Sequence, residues 1–354
     1  MLNRLWIAAA LAAGGLVVLG TGSQATSAAA RAVLPPGGAA ILTWTPAQQA
    51  WGYKNMEKIN PFHTIKRGDR IHPLPKAPVQ IDPTFTAGGK PYDTASYMVA
   101  FRASGVLVIK DGKIKSLDDP VTRYVPELKG SAYEGVTVRQ LITMTSGVKW
   151  NENYTDPNSD VAKVGLSVIE PGVNPVVSYM RRLPREAAPG SKFVYKTGET
   201  DLAGILLSNA VAEPISQYLS EKIWQPYGME QDGVWVDDVA GHERGGCCIS
   251  MTLRDYGRFG LFTLELGKVE GREVLPAGWM QDATSPHVEN PPYGYFWWLI
   301  PGGYEAEGIF GQTVSIFPSD HLVVVINSAW PGAWVDDIDK IRMQYLQAIR
   351  AAAR

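Results

Sequence analysis

The chain has 354 residues, 45% hydrophobic and 19% charged, which is globular composition with enough apolar material for one or two packed domains. A formal net charge of −2, with no basic stripe, excludes the electrostatic footprint of a nucleic-acid binder. Eleven tryptophans and fifteen tyrosines suit an aromatic-walled cleft for a small molecule, although many of them must also build the core.

Residues 1–30 read as a secretory signal peptide: Arg4 supplies the positive end, residues 5–19 the apolar run and residues 25–30 the small-residue cleavage zone. A retained membrane anchor is the alternative. No cysteine follows the apolar run, which argues against a lipoprotein, and the protein is expected to be exported. Residues 31–104 are rich in Pro and Gly and read as an arm wrapped on the body. Within it, 65–71 is a possible strand or turn and 93–102 a short helix. Gly105-Val-Leu-Val-Ile109 is a buried strand, and Asp111-Gly112 after it is a strong hairpin signal. The return strand does not come: beyond Lys113-Ile114-Lys115 the chain enters the polar turn of residues 116–121.

A short segment follows to Pro126 and Leu128, then a helix over 138–144 with Thr137 as N-cap and Gly147 past its end. Residues 150–160 form a polar aromatic loop, and 175–183 a further helix. Pro189-Gly190 turns the backbone, residues 192–194 are extended, and a helix opens at Thr197 and runs to about Val211. Tyr195 therefore projects from a rigid strand-to-helix turn. Among cations such a phenol would lose its proton below the usual value of about 10; the competing reading is a core tyrosine bonded to backbone. Glu199 reads as a helix-start charge favoured by the dipole.

Pro214 starts another helix, which stops at 226–229. Cys247 and Cys248 are the only cysteines; as neighbours they are not expected to form a structural disulfide, nor a metal site, and read as small buried residues. Thr252 caps a helix with Asp255 at its third position and Gly267 at its close. Residues 269–274 form a small hairpin. Strands follow at 295–300, 306–310, 312–317 and 322–327, then a helix from about Val335. His242, His287 and His321 lack metal-ligand spacing, so neither metal nor cofactor is expected. Strands at both ends with helices between them predict an α+β fold, its sheet part at 105–114 and 290–354 and its helical part at about 116–250.

Six stretches, in order, resemble the serine β-lactamase-related hydrolases, close to class C β-lactamases, esterases and 6-aminohexanoate-dimer hydrolases. They are Leu117-Asp-Asp-Pro-Val121, Val136-Thr-Val-Arg-Gln-Leu-Ile-Thr-Met-Thr-Ser-Gly-Val148, Phe193-Val-Tyr-Lys-Thr-Gly-Glu-Thr200, Cys248-Ile-Ser-Met-Thr-Leu-Arg-Asp-Tyr256, Tyr293-Gly-Tyr-Phe-Trp-Trp298 and Gly308-Ile-Phe-Gly-Gln312. The resemblance implies a β-lactamase/transpeptidase-like fold and hydrolysis of small amides or esters through an acyl-enzyme. It implies Tyr195 as general base, Gly308 and Ile309 at the oxyanion edge, and Lys196, Thr197 and Gln312 on the substrate side. The Trp297-Trp298 pair is expected chiefly to pack under the sheet.

The same resemblance exposes a gap. Family members carry their Ser-x-x-Lys on a long helix between the first hairpin and the Leu-Asp-Asp-Pro-Val turn, and here those flanks join directly at Asp111-Gly-Lys-Ile114. Ser146-Gly-Val-Lys149 is the sole Ser-x-x-Lys in the chain, and one chance match is expected among this many serines. Loss of the nucleophile of a comparable serine enzyme costs about 10⁶-fold in turnover. The chain is therefore expected to keep the scaffold and to be inactive or strongly impaired, with use of Ser146 and a non-catalytic envelope binding role as alternatives. Loss of a central helix should also loosen the helical part and leave an open apolar groove beside Tyr195.

Overall fold

The computed structural model of the chain describes residues 62–74, 86–87, 90–91, 111–164, 170–238, 240–328, 330 and 332–353. The signal peptide expected over 1–30, most of the arm expected over 31–104, the helix expected over 93–102 and the strand expected over 105–109 lie outside the described residues. The elements that position the site are β1 (Phe62–Ile65), α1 (Val138–Ile142), α2 (Pro175–Met180), α3 (Thr197–Val211), α4 (Ile215–Leu219), β2 (Gly233–Val236), β3 (Ile249–Ser250) and α5 (Leu253–Leu264). They continue with β4 (Val288–Glu289), β5 (Pro292–Tyr293), β6 (Trp298–Ile300), β7 (Gly303–Glu307), β8 (Thr313–Phe317), β9 (Leu322–Ile326) and α6 (Asp336–Ala353). Among the described residues, no helix is long and apolar enough to cross a membrane.

The main sheet is antiparallel in the order β9-β8-β7-β6-β5-β4, and a second sheet runs β1-β2-β3. Every residue of β8 is buried, as a strand covered on both faces requires. One face packs on α5, where Gly260 lets Val314 and Val323 approach the helix backbone, and Tyr304 Oη donates to the Thr263 carbonyl at 3.3 Å. The other face carries Glu305 and Ser315 to α6. The caps are those the local sequence demands. Thr137 and Gln140 form a reciprocal capping box on α1, and the Thr252 hydroxyl accepts the Asp255 N–H on α5 at 3.1 Å.

Several elements depart from the expected boundaries for identifiable reasons. In the arm, the strand is Phe62–Ile65 instead of 65–71, because it is recruited by pairing with β2 in the register Phe62↔Val236 to Ile65↔Gly233. Residues 295–297 do not join β6. Tyr295 N–H goes to the Ala283 carbonyl at 2.9 Å and Phe296 N–H to that of Ile142 at 3.1 Å, so their donors serve the helical part and not the ladder. Residues 192–194 are extended without strand partners. Nor is the helical part loose. Val121, Leu141, Met180 and Leu206 belong to one buried apolar cluster with Phe262, Tyr304 and Ile316.

The cysteine expectation is corrected outright: Cys247 and Cys248 are disulfide-bonded to each other. The eight-membered ring is accommodated by Cys248 at φ +117°, and the backbone there is held by the Val236 N–H donating to the Cys248 carbonyl at 3.1 Å.

Beneath the sheet lies a buried ionic network. Arg342 of α6, 1% exposed, donates Nη1 and Nη2 to Glu305 at 2.9 and 3.1 Å and Nη2 to Glu307 at 3.1 Å, while Ser315 Oγ donates to Glu305 at 2.6 Å. Burial, the hydrogen bond to Glu305 and the Glu305 charge push the Glu307 carboxyl well above the usual carboxylate range. Burial would raise Glu305 too, but the hydrogen bond from Glu307 and the Arg342 charge hold it below that range. Of the two, Glu307 is the carboxyl that holds its proton to higher pH. Arg342→Met should cost about 3–5 kcal/mol in urea unfolding, because it leaves buried carboxylate uncompensated. Glu307 has a raised folded pKa, so its contribution is complete below the unfolded value of about 4.3 and is lost as pH rises through the folded value. Glu307→Gln should therefore gain stability relative to the wild type as pH rises in thermal melts. A pH-independent difference would refute the raised pKa of Glu307.

Candidate functional site

Two backbone bonds place Tyr195. Gly190 N–H donates to the Thr145 carbonyl at 2.7 Å and Val194 N–H to that of Met144 at 3.0 Å, pinning the extended approach against the end of α1. The half-buried Tyr195 ring then stacks on Trp298, with centroids 5.6 Å apart and planes inclined by 25°. Phe193 packs beside it on Tyr293 and Trp298. Trp298 opens β6, and its partner across the ladder is Glu305, the last β6–β7 pair. Residues 306–309 thus run beyond the end of β6, and Tyr195 sits on the indole at that uncovered edge. The two tryptophans divide the roles: Trp297 is buried edge-on against Tyr304 at 5.0 Å, and Trp298 faces the site.

Gly308 and Ile309 lie in the turn between β7 and β8. Gly308 N–H bonds the Gln312 carbonyl at 2.7 Å, and the Ile309 carbonyl accepts from Trp334 N–H at 2.7 Å. The Ile309 N–H has no partner among the described residues, the condition for a donor that meets a ligand oxygen. Trp334, 46% exposed, adds an apolar face beside this turn. Phe193, Tyr195 and Trp298 are half-buried.

The structure corrects the other assignments. Gln312 is 2% exposed and its Oε1 accepts the Phe310 N–H at 3.1 Å, so it braces the turn and is not presented to substrate. Lys196 points inward: its fully buried Nζ lies 3.1 Å from the Val194 carbonyl and 3.4 Å from Glu199. The cation expected to draw a proton from Tyr195 is committed elsewhere. Glu199 stands in the first turn of α3 as expected, but it is buried and accepts from Lys196, from Tyr133 Oη at 3.3 Å and from the Ser146 hydroxyl. Burial raises its carboxyl above the ordinary range, against the opposing pull of Lys196. Ser146 is wholly buried, and Lys149 is exposed. They form no nucleophile–base pair.

Sequence reasoning missed Glu152 and Tyr154. Glu152 accepts four hydrogen bonds, from Trp150 Nε1, Tyr154 Oη, and the N–H and hydroxyl of Thr197. It thereby caps α3, whose N-cap residue supplies no side-chain acceptor. The Tyr154 and Thr197 hydroxyls are 2.9 Å apart. Burial, the Glu152 charge and Tyr195 push Tyr154 well above the normal phenol range, so it stays a donor. The only local signal was the alternation of aromatic and acidic residues at 150–154; the partner is 45 residues away. Tyr195, Tyr154 and Glu152 thus bring hydroxyl and carboxylate groups to one place, and among the described residues no group suited to a metal accompanies them.

Comparison with known proteins follows the same geometry. A family model described as "Beta-lactamase" matches residues 84–347. A 6-aminohexanoate-dimer hydrolase of Paenarthrobacter ureafaciens is 28% identical over 247 residues, covering 63% of this chain and 62% of that protein. The chain thus spans less than two thirds of the length of this relative. Among solved structures, the "Putative 6-aminohexanoate-dimer hydrolase from Bacillus anthracis" superposes with a TM-score of 0.70 at 20% identity, over 86% of this chain and 94% of that one. A penicillin binding protein from Bacillus halodurans gives 0.53 at 17% identity, over 84% and 98%. At that identity the likenesses establish the fold.

Ser146→Ala should lower stability by about 1–3 kcal/mol in denaturant unfolding, because it strips a hydroxyl partner from buried Glu199. A neutral substitution would show that the hydroxyl is free for chemistry. A Tyr195→Ala/Trp298→Ala double-mutant cycle should return a coupling of about 0.5–1.5 kcal/mol, the worth of an aromatic pair beyond its burial.

Proposed function

The chain belongs to the beta-lactamase family, and from that premise we propose that it is an exported binding scaffold for small amides or esters whose hydrolysis is strongly impaired. The scaffold is that of a serine hydrolase of beta-lactamase type. What carries the reading is a mismatch between the two halves of the site. On one side, Tyr195 stands over Trp298 at the edge where the Ile309 N–H has no described partner, as an oxyanion donor requires. On the other, the described chain from Asp111 to Val121 passes through turns, with no helix to bring a serine to that edge.

In this reading the Ile309 N–H receives the carbonyl oxygen of a bound amide or ester. Tyr195 and Tyr154 supply hydroxyls to the atom on the far side of the carbonyl, and Glu152 orients Tyr154 and Thr197. A general base acts only on a hydroxyl within about 3 Å, and in this reading the turns of residues 111–121 deliver none to Tyr195, so the acyl-enzyme does not form. An active amidase or esterase built on Ser146 is disfavoured by the burial of that hydroxyl and its bond to Glu199.

The full-length protein should not release chromophore from nitrocefin or a p-nitrophenyl ester above the rate with buffer, and should take no label from a fluorophosphonate probe. The 6-aminohexanoate dimer should nevertheless bind in calorimetry, and Tyr195→Ala should weaken that binding about tenfold, as expected when about 1.4 kcal/mol of contact is lost. Covalent labelling that disappears in Ser146→Ala would overturn the proposal, as would absence of binding by any amide or ester tried.

A further inference from the structure

Neither the fold nor the candidate site accounts for the bonded pair Cys247–Cys248. A disulfide stabilises mainly by removing loop entropy from the unfolded chain, and the gain grows with the loop it closes. A bond between neighbours closes none, so its consequence has to be local. That consequence is Cys248 at φ +117°, a region that residues with a side chain rarely adopt. The ring keeps it there.

Several contacts surround this ring. The Cys248 carbonyl accepts the Val236 N–H at the end of β2 at 3.1 Å. Trp235 Nε1 donates to the Cys247 carbonyl at 3.0 Å and to that of Arg244 at 2.8 Å. Just before the pair, Gly246 N–H donates to Asp201 Oδ1 at 2.7 Å, and Arg244 Nη2 to Asp201 Oδ2 at 3.1 Å. Asp201 is 1% exposed and lies one turn along α3 from Thr197. Gly246 presses on that turn so closely that a Cβ would come within 2.9 Å of the Thr197 carbonyl, Thr197 Cγ2 and Asp201 Oδ1. Residues 244–248 are thus a clasp on the first turn of α3, the helix that begins two residues after Tyr195. Cys248 is 8% exposed, and Cys247 is partly exposed, which leaves the ring an approach from solvent.

We propose that Cys247–Cys248 is a redox modification site, reduced by a small or protein dithiol, and that its reduction releases the clasp on α3. A thiolate of the dithiol attacks the more exposed sulfur, the S–S bond breaks, and the other cysteine leaves as a thiolate that takes a proton. The second thiol of the reagent then attacks the mixed disulfide, closing to a cyclic disulfide and releasing the second cysteine. The protein gains two electrons and two protons, and the dithiol loses them. Cys248, no longer ringed, relaxes to negative φ and withdraws its carbonyl from Val236. The proposal is independent of whether the chain turns over substrate.

The test uses the full-length protein with and without dithiothreitol, iodoacetamide alkylation read by intact mass, and hydrogen exchange read at Val236 and Gly246. The untreated protein should take no adduct. The reduced protein should take two and lose protection at both amides by about tenfold or more. Cys247→Ala/Cys248→Ala should exchange like the reduced protein. Cys247→Ala/Cys248→Gly, in which glycine accepts the positive φ without a ring, should keep protection and ignore the dithiol. The glycine variant and the wild type decide the matter even where the alanine variant does not fold. Alkylation of both cysteines before reduction would overturn the proposal, and so would reduction that leaves exchange at Val236 and Gly246 unchanged.

Discussion

The carboxyl group of Glu199 holds together the part of the molecule on which the site stands. Ser146 from the loop after α1, Tyr133 from the turns before it and Lys196 from the head of α3 all converge on this one buried side chain. All three meet the same oxygen, Oε1, while Oε2 is buried without a hydrogen-bond partner among the described residues; removing any of the three would leave the buried carboxyl still less satisfied, so the three segments are bound to one arrangement. Two functional consequences follow from the same bonds. The hydroxyl of Ser146 is committed to structure, and the charge of Lys196 is paired with Glu199 and the Val194 carbonyl.

The uncovered sheet edge depends on a different balance. β6 stops at Trp298 while β7 continues, because the donors of Tyr295 and Phe296 are taken by Ala283 and Ile142 in the helical part. That early stop leaves residues 306–309 without a neighbour on one side and frees Trp298 to carry Tyr195. Arg342 anchors the same strand through Glu305 and Glu307, the latter two residues before Ile309. The end of β7 is thus anchored by Arg342 and unpaired on its β6 side.

Much of the fold was legible locally. Thr137 and Thr252 announced their helices through capping chemistry, and the start of α3 at Thr197 and its end at Val211 were readable from a turn, an apolar run and its close. Tyr195 was found from its turn and its motif. The errors share one cause, which is that local sequence carries no record of its tertiary partner. Lys196 and Gln312 look like ligands of a substrate until the fold gives each an internal acceptor or donor. Glu152 looks like a loop charge until Thr197, 45 residues on, becomes its partner. The adjacent cysteines looked inert because neighbours bond only with an unusual backbone, which Cys248 adopts here at φ +117°.

By itself the sequence determined the element types, the helix ends, the α+β class and the family motifs, because hydrophobic period, caps and turns act over a few residues. It also determined that Ser-x-x-Lys occurs once, at Ser146. Only the tertiary structure decided which side chains reach the cleft. Burial and hydrogen-bond satisfaction are settled between segments far apart in the chain, and they turned Ser146, Lys196 and Gln312 inward while setting Tyr195, Tyr154 and Glu152 around one edge.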